Sequence, residues 1–104
     1  MFGFGVKTIT IEQLADRLKT GKPVLLDVRE PSEFASGHVR GARNVPMGRL
    51  AAEVSRLDPG AETLVICQSG RRSAAAVKQL KRAGFTDVYS VKGGTGAWQG
   101  KLKR

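Results

Sequence analysis

Apolar residues fall in short blocks along this chain, and two periods alternate between polar turns. Val24-Leu25-Leu26-Asp27-Val28 and Thr63-Leu64-Val65-Ile66 are near-continuous apolar runs, too continuous for strands with one wet face. Such runs suit parallel strands covered on both sides. Val6 to Ile9 and Asp87 to Val91 read as further short strands, and Asn44-Val45-Pro46 as a brief one halted by proline. Between the runs the period changes. Ile11, Leu14, Ala15 and Leu18 form a helical stripe, as do Leu50, Val54 and Leu57, and Ala74 to Leu80 reads as a third helix. Boundary signals agree: Thr10 and Gln13 form a capping box, Gly21 and Gly84 are stops, and Asp58-Pro59-Gly60 is a turn. Strands alternating with helices predict an α/β fold, a small parallel β-sheet flanked by helices on both faces.

With 104 residues and no repeat, linker or low-complexity segment, residues 1–104 are expected to form a single domain. No apolar run approaches the ~20 residues of a membrane span. Met1-Phe2-Gly3-Phe4-Gly5 lacks the regions of a secretory signal, so a cytoplasmic location is expected. One cysteine excludes an intramolecular disulfide, and with one histidine it cannot build a structural zinc site.

The net charge of +9 is uneven. Residues 1–62 carry nine basic and eight acidic side chains, whereas residues 63–104 carry nine basic ones against Asp87 alone. Such a surface attracts an anionic small molecule, an acidic protein partner or RNA. It equally serves solubility, with Lys101, Lys103 and Arg104 a frayed basic tail over 99–104.

The densest chemistry is Cys67-Gln68-Ser69-Gly70-Arg71-Arg72-Ser73, where a predicted strand passes through a tight loop into a helix. Unpaired backbone N–H groups and the helix dipole make that junction an anion site, and Arg71 and Arg72 add two cations. Each effect favours thiolate, so the Cys67 pKa is expected below its reference of about 8.5.

This loop resembles the active-site loop of the rhodanese sulfurtransferases. Asp27-Val28-Arg29-Glu30, Glu33-Phe34, Gly37-His38-Val39, Gly41-Ala42 and Asn44-Val45-Pro46 resemble that family's first signature, and Gly93-Gly94 with Trp98 its closing one. The resemblance runs from about residue 9 to residue 98 and implies a rhodanese-like fold. It also implies a reaction: Cys67 takes a sulfane sulfur from a thiosulfate-like anion as a persulfide and passes it to a thiophilic acceptor. Gln68, Ser69, Gly70, Arg71, Arg72 and Ser73 would bind the donor, a thiol or protein persulfide would be the partner, and no metal or organic cofactor is implied.

Other residues carry quieter expectations. Asp27 should share the rim with Cys67, because both lie at carboxyl ends of strands. Arg29 and Glu33, four apart on a short helix from Pro31, are placed to pair. Asp27 and Arg29 read as structural supports, His38 as a turn residue bonded to backbone rather than a base, and Trp98 as a core or edge residue. Two alternatives stay open. A non-catalytic rhodanese-like module would only bind a partner. A cysteine phosphatase or arsenate reductase would use a related cradle, but typically with five residues between cysteine and arginine; here four separate Cys67 from Arg72.

Overall fold

A computed structural model of the chain describes residues 6–104; the reading of Met1 to Gly5 lies outside them. Five parallel strands form one sheet: β1 (Thr8–Ile9), β2 (Val24–Asp27), β3 (Arg43–Asn44), β4 (Thr63–Ile66) and β5 (Val88–Val91), in spatial order β1-β5-β4-β2-β3. The two near-continuous apolar runs are neighbours within the sheet, with Val24 opposite Thr63 and Asp27 opposite Ile66. Burial on both faces explains their lack of alternation.

Side chains nevertheless alternate in direction, and that builds two cores. Leu26, Val28, Val65 and Cys67 face one side, where they meet Leu50 and Ala76, Val77 and Leu80 of a helix. Leu25, Leu64 and Ile66 face the other, where they meet Leu14. The helices bearing these residues are α1 (Ile11–Thr20), α3 (Leu50–Glu53) and α4 (Arg71–Arg82); α2 (Pro31–Ser36) and α5 (Gly94–Ala97) are short. The expected two-sided α/β architecture is the one present.

The capping box on α1 forms as read: Thr10 Oγ1 accepts from Gln13 N at 3.0 Å, and Thr10 N donates to Gln13 Oε1 at 2.8 Å. Several boundaries differ. The first strand begins at Thr8 rather than Val6, and β3 ends at Asn44, before Val45. The stripe at Leu50, Val54 and Leu57 is a broken helix, with single 3₁₀ turns at Met47–Arg49 and Val54–Arg56 around α3. The largest shift is at α4, which begins at Arg71 rather than Ala74. Three residues read as loop are therefore its first turn.

Candidate active site

Everything around Cys67 follows from the strand-to-helix junction. The side chain leaves β4 toward the α4 face and is buried, 1% exposed. Gly70 is the N-cap of α4 at φ +107°, a conformation that favours glycine. That reversal folds the loop amides inward. Gly70 N donates to Cys67 Sγ at 3.1 Å and Ser73 N at 3.3 Å, while Ser73 Oγ lies 3.5 Å from the sulfur. Burial pushes the Cys67 thiol up, but hydrogen bonds from the Ser73 hydroxyl and amide, then the Gly70 and Ser69 amides, outweigh it and leave the pKa lowered. The direction is the expected one. The largest favourable causes are one hydroxyl and the expected loop amides, and the Arg72 guanidinium is coupled to the same sulfur by charge.

The loop is clamped from behind by the segment carrying α5. Thr95 N donates to Cys67 O at 2.8 Å and Gly96 N to Gln68 O at 2.9 Å. Gly94 lies so close that a Cβ there would stand 2.2 Å from Cys67 O. Beneath the sulfur, Ser73 Oγ reaches Gly70 O at 3.1 Å and lies 2.7 Å from Ser90 Oγ on β5. Ser90 and Thr95 carry no sequence signal of this role, since each needs the tertiary fold to reach residue 73 or 67.

Arg29 does not pair with Glu33, as their spacing suggests. Its guanidinium instead grips Asp27, with Nε 3.0 Å from Oδ1 and Nη2 2.8 Å from Oδ2, and both side chains are buried. Nη2 also donates to Gly37 O at 2.8 Å, and Nη1 lies 3.5 Å from Gln68 Oε1, so the pair props the loop. Asn44 Nδ2, 3.0 Å from both Asp27 O and Arg29 O, fixes the backbone around it. Glu33 is taken by Arg72 through two contacts of 2.7 and 3.0 Å. The Arg72 guanidinium, followed by the Glu30 backbone N–H, holds the Glu33 carboxyl down at about 2.

Arg72 is therefore not the free cation that its place in the sequence suggests. Arg71 is exposed and makes no ion pair among the described residues. Gln68 and Ser69 are exposed on the rim, Gly70 is half-buried, and Ser73 is wholly buried under the sulfur. The six loop residues thus divide: Gly70 and Ser73 hold the sulfur, Arg72 is taken by Glu33, and Gln68, Ser69 and Arg71 are exposed. His38 is used by the fold. Its Nδ1 donates to Phe34 O at 2.8 Å, its ring stacks on Phe34, and its backbone pairs with Lys103. That last pairing also ties down part of the tail read as frayed. Trp98 packs against the core that contains Leu14 and lines a groove without the cysteine loop.

Residues 10–101 match the family model described as "Rhodanese-like domain". The thiosulfate sulfurtransferase GlpE of Pseudomonas putida is 40% identical over 93 residues, covering 89% of this chain and 84% of its own. A Bacillus subtilis protein, "Uncharacterized protein YqhL", is 39% identical over 98 residues, covering 94% of this chain and 76% of its own. Among solved structures, a rhodanese-like domain protein from Staphylococcus aureus superposes with a TM-score of 0.86 at 32% identity, covering 94% of this chain and 97% of that one.

Proposed function

The chain belongs to the rhodanese-like domain family, and on that premise we propose that it is a sulfurtransferase working through a persulfide on Cys67. The observation that carries the reading is the sulfur itself: buried, at a helix N-terminus, with two backbone amides within 3.3 Å. A thiolate held this way is a nucleophile that needs no base. It attacks the outer sulfur of thiosulfate, the Cys67–sulfur bond forms as the donor S–S bond breaks, and sulfite leaves with the electron pair. The negative charge then sits on the outer sulfur of the persulfide. Amides between Gln68 and Ser73 would stabilise it as an oxyanion hole does, a role supported by the Gly70 and Ser73 N–H groups that already donate to Sγ. An acceptor thiolate attacks that sulfur, takes it as its own persulfide and restores the Cys67 thiolate; cyanide would leave as thiocyanate.

Arg71, exposed at the start of α4, is the cation we assign to drawing in the anionic donor. Arg72, held by Glu33, we assign to fixing the wall of the loop. That engagement speaks against a phosphatase, whose arginine must be free to grip the transferred phosphoryl group. A relative named as a thiosulfate sulfurtransferase supports thiosulfate as a donor, and a thiol, small or protein-borne, is the acceptor we assign. A single reactive thiol suits a reducing compartment, which supports a cytoplasmic setting.

Steady-state kinetics with thiosulfate and cyanide test this. Parallel double-reciprocal lines, with no turnover by Cys67→Ser, are expected for a two-step transfer. Turnover that survives the substitution would overturn the assignment.

A further inference from the structure

A groove of about 520 Å³ lies on the α1 face of the sheet, the face away from the Cys67 side chain, and no residue from Cys67 to Ser73 lines it. Pro23 on its wall immediately precedes β2, whereas Cys67 immediately follows β4, the parallel neighbour in register with it. Four residues of strand, roughly 13 Å, separate those two ends. The groove's floor is apolar: Leu18 of α1, Pro23, Val39 and Trp98 line it. Val39 belongs to the core on this side of the sheet, and Leu18 and Trp98 pack against that core, so the floor is continuous with the interior.

The rim has one sign of charge. Lys19, Lys22, Arg40 and Lys101 line the groove, all are exposed, and no acidic side chain does so. Among the described residues these four make no ion pair, although Arg17, Arg29, Arg43 and Arg72 each find a carboxylate. They converge from α1, the turn after it, the segment before β3 and the C-terminal segment, so the cluster is made by the fold. Like charges gathered around an apolar surface repel one another, and their aliphatic stems extend the apolar walls.

We propose that this groove binds a small amphiphilic anion, of the chemical class of a medium-chain alkyl carboxylate. Its tail would cover the apolar floor and its headgroup would offset the four cations. The size falls in the ~300–1,000 Å³ range of small-molecule sites. An acidic peptide matches the charge less well with the floor, because its backbone N–H and C=O groups would lie against apolar side chains without partners.

The chain has one tryptophan, so Trp98 emission reports on this groove directly. Decanoate, titrated below its micelle concentration, should change that emission saturably, and decan-1-ol should require at least tenfold more. The double variant Lys22→Glu, Arg40→Glu should weaken decanoate binding at least tenfold while unfolding at the same urea concentration. Alkylation of Cys67 by iodoacetamide should be unchanged by decanoate, which separates this site from the cysteine loop. No saturable response would overturn the proposal. So would equal binding of the alcohol, or a stronger response to hexaglutamate than to decanoate.

Discussion

Gly94→Ala tests how the reactive loop is held. Gly94 has φ +60°, and a Cβ there would stand 2.2 Å from Cys67 O and 2.6 Å from Gln68 O. Real Cβ atoms essentially never approach within 3.0 Å, so the loop and α5 must part. Parting them stretches the bonds from Thr95 N to Cys67 O and from Gly96 N to Gln68 O, now 2.8 and 2.9 Å. Overpacking, a left-handed alanine and weakened buried hydrogen bonds together cost roughly 3–6 kcal/mol. Gly84→Ala is the control. Gly84 has φ +102°, but nothing lies within 4 Å of its Cβ position, so only backbone strain is added. That strain, partly offset by a less flexible unfolded chain, leaves a loss of about 1 kcal/mol. Dihedral angles alone would rank the two the other way, since +102° lies further than +60° from the left-handed well. Urea unfolding followed by Trp98 emission should put the midpoint of Gly94→Ala at least ~1 M below that of Gly84→Ala. Iodoacetamide should also react with Cys67 at a changed rate in the first variant alone. Equal midpoints, or a lower one for Gly84→Ala, would refute the view that this clamp positions the nucleophile.

The other predictions concern charge and protonation. Asp27→Ala leaves the buried Arg29 guanidinium without its carboxylate, which should cost ~3–5 kcal/mol and lower the melting temperature by roughly 15–25 °C; a fall of under 5 °C would show that the pair is dispensable. Ser73→Ala removes the hydroxyl that favours the Cys67 thiolate, so the pH midpoint of alkylation should move upward. An unmoved midpoint would assign the effect to the amides alone. Glu33 has a depressed carboxyl pKa, so its contribution to stability is present above its ordinary 4.5 and is lost as pH falls toward about 2. Both side chains of that pair are about a third exposed, which limits its worth to ~1 kcal/mol. Glu33→Gln should therefore be less stable than the parent at pH 7 and by a smaller margin at pH 2, by urea unfolding at each pH.

The central strands were legible because burial on both faces erases alternation, and the caps were legible because Thr10, Gln13 and Gly21 act locally. The cysteine loop was legible for the same reason: its chemistry depends on a strand end and a helix start adjacent in sequence. Pairings across the fold were not. Arg29 and Glu33 sit at a spacing that favours contact, yet Arg29 turns back to Asp27, two residues before it, and Glu33 is taken by Arg72, which the fold brings alongside. The start of α4 was missed although Arg71 and Arg72 favour helices, because its cap is the left-handed Gly70 and carries no capping side chain. Ser90 under Ser73 and Thr95 behind Cys67 are placed by the register of β5 and the turn after it, which no local pattern encodes. The groove at Trp98 was invisible for a related reason. Its four cations are spread from Lys19 to Lys101 and converge only in the folded chain.

The most direct test is the intact mass of the protein after incubation with thiosulfate, for the parent and for Cys67→Ser. The account predicts a gain of one sulfur, about 32 mass units, that cyanide removes and that the serine variant never acquires. A parent whose Cys67 titrates normally, remains folded and gains no sulfur from thiosulfate would contradict it.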